Sequence, residues 1–272
     1  MPKNVEIEVF LIAKTEVDYS DLTNWLLALG VSDTTIYKLT HTDNTPAELV
    51  TSVAAKQCYM SFEAGLNPNV TKTRSDMAAY LENILASGHG SVLEHVNFTF
   101  AINNVSRVFT GEMNRHRAGV AVSERSMRYI RFQDCIDWWL PLSLRENKLD
   151  NHDLSARKAL SRTVFERAFE QMEDNYQNLC NIWDMEDTDH NFHYKKTMTS
   201  CFRRIIGMGA ATGGVWSFNI RALRHVLTMR CSKAAEEEIQ YVSQYILRLM
   251  QNSEPKLFGD FDYDAKPKYP KV

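Results

Sequence analysis

The chain has 272 residues, of which 44% are hydrophobic and 24% are charged, and these ordinary globular values exclude wholesale disorder. Its formal net charge of −3 argues against a general nucleic-acid-binding protein, which typically carries a basic surface across the whole domain. No apolar run reaches the ~18 residues that would predict a membrane-spanning helix.

The first 44 residues predict an N-terminal extension made of one strand and one short helix. Val5, Ile7 and Val9 alternate with glutamates, which predicts a half-buried strand rather than a signal peptide. The stretch DLTNWLLALG predicts the helix, and Gly30 is its expected end.

Two helices, a strand and a third helix are predicted next. Thr45, Pro46 and Glu48 have the spacing of a capping box and begin the helix TPAELVTSVAAKQCYMSF. A second helix ends at Gly88 and carries apolar residues at helical spacing: Met77, Tyr80, Leu81, Ile84 and Leu85. VNFTFAI alternates and predicts a strand, and VSRVFTGEM predicts a helix that ends before Arg115.

Four further helices are predicted in the second half of the chain. The longest runs from Ser155 to about Trp183, and its expected apolar stripe is Leu160, Val164, Ala168, Met172, Tyr176 and Leu179. The next runs from about His193 to Met208, where the glycine-rich stretch GAATGG breaks it. SFNIRALRHVLTMRCS and EEEIQYVSQYILRLMQ predict the last two helices.

These elements predict one α+β domain over residues 1–272, helix-rich and with a modest, largely antiparallel sheet. Its parts are the extension over 1–44, a core over 45–250 and a tail over 251–272. The tail, which contains FGDFDYDAKPKYPKV, lacks periodicity and is expected to be peripheral.

The cysteines bear on the cellular compartment. They are scattered, odd in number and without a CxxC pair: Cys58, Cys135, Cys180, Cys201 and Cys231. This usage predicts buried, reduced thiols in a cytoplasmic protein.

The stretch RHRAGVAVSERSMRY, residues 115–129, concentrates positive charge around the small apolar segment AGVAV. Six arginines and two glutamates between Arg107 and Arg131 give a local charge of +4 in a chain that is acidic overall. Because a guanidinium binds phosphate with a fixed fork of donors, Arg115, Arg117 and Arg128 are candidate phosphate ligands on a loop. The alternative is a solvated surface with scattered ion pairs.

Other site chemistries have weaker support. His89 and His95, and the HxxH pair of His190 and His193, lack the companion ligands of a zinc site, so no metal is predicted. GMGAATGG has the wrong register for a dinucleotide-binding loop and favours a helix break. Ser126 lies without a clear acid partner, which favours a hydrogen-bonding role over that of a nucleophile.

Three motifs, in order along residues 45–250, resemble those of the flavin-dependent thymidylate synthases. RHR followed by eight residues and Ser126 is similar to the family signature, and GHGSVLEHVNFTF is similar to the segment that precedes it. NIRALRHVLTMR, followed by AEEEIQ, resembles the family's Asn-x-Arg helix. The resemblance implies a homotetrameric FAD enzyme that makes dTMP from dUMP, with methylenetetrahydrofolate and NADPH as co-substrates and active sites shared between subunits.

The resemblance also implies roles for individual residues. The expected flavin contacts are Ser91, Arg115, His116, Arg117, Glu124, Asn219, Arg221 and His225. The expected nucleotide contacts are Glu112, Arg115, Ser126, Arg128, Arg204 and Arg230. Two catalytic roles are implied: Arg230 polarises the uracil ring, and His89 lies beside the flavin and the path of the folate. The family uses no enzyme thiol as a nucleophile.

Some positions depart from the commonest family pattern. Glu112 stands where Gln is frequent, His225 where Asn is frequent, and Met127 where a smaller residue is usual. An ion pair between Glu112 and Arg115, three residues on, is an alternative to a nucleotide contact. These departures keep open a related flavin and folate enzyme acting on another pyrimidine nucleotide, for instance by hydroxymethylation. A non-enzymatic, arginine-rich nucleic-acid-binding protein is the third hypothesis.

Overall fold

A computed structural model of the protein describes residues 2–74, 76–130, 136–270 and 272, and its centre is an antiparallel sheet. Within this part of the chain the strands are β1 (Glu8–Lys14), β2 (Asn97–Ser106), β3 (Val120–Glu124) and β4 (Ala211–Asn219). Their order across the sheet is β1-β2-β4-β3, and every neighbouring pair is antiparallel. The expected helix-rich α+β fold is confirmed.

Helices make up about half of the described chain. They are α1 (Tyr19–Ala28), α2 (Asp33–Thr40), α3 (Pro46–Tyr59), α4 (Met77–Ser87), α5 (Arg107–Met113), α6 (His152–Ile182), α7 (Phe192–Phe202), α8 (Ile220–Arg230), α9 (Glu237–Ser253) and α10 (Pro255–Phe258). The capping box of Thr45 and Glu48 at the start of α3 is confirmed, and Gly88 ends α4 with φ +71°. The short helix α2, capped by Ser32, was not predicted.

The main core lies between the sheet and the helices α8 and α9. Phe98, Phe100 and Ile102 face it from β2 and are fully buried, as the alternation of that strand predicted. Trp216 and Phe218 join them from β4. Each such side chain contributes about 1.5–3 kcal/mol by burial, so these strands form a rigid support for the loops at their ends.

Two strands correct the sequence-based interpretation. Residues 120–122 of AGVAV lie in β3 rather than in a loop, although the first two residues of that segment form a turn before the strand. GAATGG is not a helix break, because β4 begins within it. The glycines are needed by the pairing of the strands: a Cβ on Gly213 would lie 2.7 Å from the carbonyl oxygen of Ile102, and one on Gly214 would lie 2.5 Å from that of Ser123.

The C-terminal tail is not peripheral. Leu257, Phe258 and Phe261 are buried in the main core. Arg224 of α8 is fully buried and forms a bidentate ion pair with Asp260, with N–O distances of 2.7 and 2.8 Å. The tail is therefore an integral part of the fold.

The predicted stripe on α6 is only partly correct. Tyr176 is buried, whereas Leu160 and Val164 are 68% and 66% exposed. The helix has 31 residues and extends beyond the core on which its second half packs.

The cysteines of the described residues are not all buried. Cys180 and Cys231 are buried, Cys58 and Cys201 are exposed, and Cys135 lies outside the described residues. Among the described residues, no helix combines the length and apolar character needed to cross a membrane.

Candidate functional site

The sheet brings the arginine-rich stretch beside the start of α8. Because β3 and β4 pair, Gly119 and Asn219 become neighbours, and the backbone N–H of Asn219 donates to the carbonyl of Gly119 at 3.0 Å. The side chain of Asn219 caps α8 by accepting from the N–H of Ala222 at 2.8 Å. Gly119 has φ +69°, and a Cβ there would lie 2.5 Å from the Asn219 side chain.

A cleft of about 360 Å³ opens at this junction. Asn219, Arg221 and His225 of the candidate flavin contacts line it together with Gly119. Arg221 forms a half-exposed ion pair with Glu94 at 2.6 Å. The structure thus brings these three candidate residues into one cleft, whose volume lies within the ~300–1,000 Å³ range of small-molecule sites.

Arg230, at the end of α8, lies against the end of α5. Its Nη1 donates to Oε2 of Glu112 at 2.6 Å, and its Nε donates to Nε2 of His116 at 2.9 Å. A third bond runs from Nη2 to the Glu112 carbonyl at 3.3 Å. The alternative in which Glu112 pairs with Arg115 is therefore wrong. Because a guanidinium has five N–H donors, two on Arg230 stay available to a ligand.

His116 acts as an acceptor in this cluster. Burial lowers its pKa, and the nearby cationic charge of Arg230 lowers it further. A neutral ring that accepts at Nε2 carries its proton on Nδ1. The ring of His225 lies 6.2 Å away in an edge-on arrangement, so His225 contacts His116 and also lines the cleft.

Glu124 is held inside the protein. It forms an ion pair with Arg107 and accepts from Nδ2 of Asn114 at 2.9 Å. Asn114 in turn accepts from the indole N–H of Trp216 at 3.0 Å. Sequence reasoning missed Asn114, although its position directly before RHR placed it next to the signature.

Three candidate cations have no partner among the described residues. The side chains of Arg115, Arg117 and Arg128 are exposed and make no hydrogen bond or ion pair with any described residue. Oxygen Oγ of Ser126 accepts from the backbone N–H of Arg128 at 3.3 Å and so stabilises the turn that carries it. These arginines retain their full capacity to bind an anion.

Other candidates make no direct contact with the Arg230 cluster among the described residues. Arg204 follows α7 and donates only to the carbonyl of Ser200, at 2.9 Å, among the described residues. His89 precedes a 3-10 turn, Gly90–His95, which carries the exposed Ser91, and its ring lies 6.0 Å from that of Tyr59. No hydrogen bond, ion pair or ring contact in the described structure joins Arg204, His89 or Ser91 to the Arg230 cluster.

Neither a thiol nor a metal cluster accompanies these residues. Cys231 follows Arg230 but is buried, and burial raises the pKa of its thiol to about 12. It is therefore uncharged at neutral pH and a poor nucleophile. The described residues contain no group of three His, Cys, Asp or Glu side chains placed to hold a metal.

Solved structures share this fold. The UMP/dUMP methylase PolB from Streptomyces cacaoi, bound with 5-Br dUMP, has a TM-score of 0.64 and 16% sequence identity, and the match covers 95% of this chain and 96% of that one. The same methylase bound with 5-Br UMP has a TM-score of 0.63 and 17% identity, and the match covers 98% of each chain.

Sequence comparisons identify the family. The family model described as "Thymidylate synthase complementing protein" matches residues 38–256. The flavin-dependent thymidylate synthase of Nitratidesulfovibrio vulgaris is 30% identical over 79% of this chain and 83% of its own length. That of Mycobacteroides abscessus is 30% identical over 96% of this chain and 92% of its own length. The chain therefore belongs to the flavin-dependent thymidylate synthase family.

Proposed function

We propose that the protein is an FAD-dependent enzyme that converts dUMP to dTMP in the cytoplasm. Methylenetetrahydrofolate is the carbon donor, and NADPH is the reductant. The observation that carries this proposal is the cluster of Arg230, His116 and Glu112 next to a cleft lined by the start of α8. Family membership supports the same reaction.

The residues around the cleft fit a flavin with its phosphates. Asn219 and Arg221 of the first turn of α8 line the cleft, and the positive end of a helix favours an anionic group. His225 offers an aromatic ring. Arg115 and Arg117, which form no ion pair with a described residue, flank His116 in the sequence and offer positive charge. A flavin held by these residues would supply the hydride that reduces the transferred carbon to a methyl group, and NADPH would then reduce the oxidised flavin again.

Arg230 has the position and the free donors to act on the pyrimidine. Glu112 and His116 fix the guanidinium by three hydrogen bonds, which leaves two N–H groups for the edge of the base. Donors aimed at developing negative charge stabilise it, so C5 of the ring becomes a better nucleophile towards the one-carbon unit. When C5 bonds to that carbon, the bond from the carbon to the folate nitrogen breaks, so the folate is the leaving group. C5 then releases its own proton, and no enzyme thiol takes part.

The nucleotide phosphate requires further cations. We assign it to Arg128 and Arg204, with Ser126 holding the turn that presents Arg128. Within the described part of one chain, no hydrogen bond or ion pair joins these groups to the Arg230 cluster, which supports a homotetramer in which neighbouring subunits complete each site. Light scattering on the active protein tests this assembly, and a fully active monomer would contradict it.

Flavin loading and its response to nucleotide test the function. The purified protein, incubated with FAD, is expected to show flavin absorbance that changes when dUMP is added. NADPH oxidation is expected to be faster with dUMP than without it. A protein that cannot be loaded with FAD, or whose NADPH oxidation ignores dUMP, overturns the proposal.

A further inference from the structure

A second and larger cleft lies between α3, α4 and the segment that joins them. Its volume is about 930 Å³, and its charged lining consists of Lys56, Lys72 and Arg74, with His89 at one end. Among the described residues, no aspartate or glutamate lines it. The cleft is therefore basic in a chain whose net charge is −3.

Lys56 is the distinctive residue of this cleft, because it is buried without a counter-ion. It is only 4% exposed, and its Nζ lies 4.4 Å from the ring centroid of Tyr80, which also lines the cleft. Glu48, also on α3, is paired with Lys256 at 2.7 Å. No carboxylate of the described residues lies within ion-pair distance of Lys56, and burial lowers its pKa.

A buried charge without a partner is costly, so such groups usually have one. The apolar methylene stem of Lys56 explains why the side chain packs in the interior, but it does not compensate the charge of the ammonium group. Lys72 and Arg74 are exposed and also lack an ion pair among the described residues. Three cations without carboxylates thus surround one cavity, which indicates that the missing partner is an anion from outside the chain.

The position of the cleft identifies the kind of anion. His89 lines it, and the turn Gly90–His95 that follows His89 carries Glu94, which lines the smaller cleft beside Arg221. Gly90, directly after His89, packs against Arg221 of the smaller cleft, since a Cβ on Gly90 would lie 2.8 Å from Nε of Arg221. A ligand bound in the smaller cleft and long enough to reach past His89 would therefore place its far end in the basic cleft. The tyrosines Tyr59 and Tyr80 give this cleft aromatic walls.

We propose that this cleft binds the carboxylates of the γ-linked glutamate tail of the folate co-substrate, with Lys56 as the principal ligand. The proposal rests on the proposed function, since it extends the folate site past His89. Because a γ-linked tail carries a carboxylate on every glutamate, it can form ion pairs with several cations that are spaced along a cleft. Two of the three cations are lysines, whereas a phosphate favours the bidentate fork of arginine.

Direct binding tests this without turnover. The probe is p-aminobenzoyl-tri-γ-glutamate, titrated into the FAD-loaded protein by calorimetry. Lys56→Met keeps the apolar stem and removes the charge, so the probe should bind about tenfold or more weakly. Lys38→Met, at an exposed lysine of α2 outside the cleft, should bind it like the parent protein. Equal affinity of Lys56→Met and the parent, or no binding by the parent, overturns the proposal.

A stability measurement separates binding from folding. Because Lys56→Met replaces an uncompensated buried charge, its melting temperature without ligand should equal or exceed that of the parent. If the variant does not fold, the doubly substituted Lys72→Gln, Arg74→Gln protein, altered only at exposed positions, provides the same test. Unchanged probe affinity in that protein overturns the proposal.

Kinetics distinguish the folate tail from a cofactor phosphate. The preference for triglutamyl over monoglutamyl methylenetetrahydrofolate, taken as the ratio of the two KM values, should fall towards one in Lys56→Met. KM for dUMP and for NADPH should not change. A raised KM for NADPH with an unchanged folate preference would assign the cleft to the phosphate of the nicotinamide cofactor and overturn the proposal.

The two proposals can fail separately. A protein that binds the triglutamate probe through Lys56 but makes no dTMP would overturn the synthase function alone. A protein that makes dTMP and whose probe affinity is insensitive to Lys56→Met would overturn the cleft assignment alone.

Discussion

At the scale of single residues, the proposed chemistry depends most on Arg230. Its guanidinium is only partly exposed and is fixed by Glu112 and His116. The sequence motif indicated that this arginine belongs to the site, but nothing in the sequence showed its partners. Glu112 and Arg230 are 118 positions apart, and such pairing becomes visible only when α5 and α8 are packed.

Replacing Arg230 by alanine tests its role. The Arg230→Ala protein should fold and bind FAD, but dTMP formation at saturating dUMP should fall a hundredfold or more, because one aimed donor contributes about 3 kcal/mol to the transition state. Arg248→Ala, at an exposed arginine of α9, is the matched control and should retain turnover. Near-normal turnover of Arg230→Ala would show that the polarising role is wrong.

Gly119 tests how tightly the cleft is built. Gly119→Ala should destabilise the protein, since the new Cβ collides with the Asn219 side chain that caps α8 and a left-handed φ strains alanine. Gly65→Ala has a similar positive φ but no atom within 4 Å of the new Cβ, so only backbone strain should destabilise this variant. In thermal melts, Gly119→Ala should have a lower melting temperature than Gly65→Ala. It should also retain FAD less well. Equal melting temperatures would mean that this contact is unimportant.

At the scale of elements, local patterns predicted the helices better than the strands. The capping box and Gly88 define α3 and α4 through neighbouring residues alone. By contrast, β3 is a short edge strand, and β4 contains the adjacent glycines Gly213 and Gly214, which have a low intrinsic preference for strands. Their pairing with each other is a long-range effect. The alternation of β2 was visible because one of its faces is wholly buried.

The contact between α5 and α9 predicts a pH dependence of stability. Burial raises the pKa of Glu238 to about 7, although it accepts from the backbone N–H of Ser106 at 2.6 Å. Between pH ~4.5 and ~7 the folded state keeps a proton that the unfolded state has lost, so this group lowers the free energy of unfolding as pH rises. At about 1.4 kcal/mol per pKa unit, the loss amounts to a few kcal/mol.

Glu238→Gln removes this titration. The difference in free energy of unfolding between Glu238→Gln and the parent protein should increase in favour of the variant from pH 5 to pH 8, as measured by urea denaturation. Glu170→Gln, at an exposed position of α6, should show no such trend. A difference for Glu238→Gln that is flat with pH would disprove the burial effect.

At the scale of the whole molecule, the burial of the tail and the contacts between subunits were the features least apparent from sequence patterns. Leu257, Phe258 and Phe261 have no periodic spacing, yet they complete the core over β2 and α8. The exposed Leu160 and Val164 of α6 likewise follow a helical pattern without being buried in one chain. Composition and motifs therefore predicted the fold class and the residue types of the site, but not which distant segments meet.

The buried ion pair of the tail gives a test at this scale. Asp260→Ala leaves Arg224 charged and fully buried, so the free energy of unfolding should fall by about 3–5 kcal/mol. Asp264→Ala, which removes an exposed partner of Lys233 from the same tail, should cost about 1 kcal/mol or less. Chemical denaturation of both variants checks this. Similar losses in the two would show that the tail is not anchored through Arg224.

The most direct test of the synthase function is the mass of the nucleotide product. The FAD-loaded protein is incubated with dUMP, methylenetetrahydrofolate and NADPH, and the nucleotide is analysed by mass spectrometry. We expect a gain of one CH2 group, carried as a methyl on C5 of the pyrimidine. Unchanged dUMP, or a gain that corresponds to a hydroxymethyl group, would contradict it.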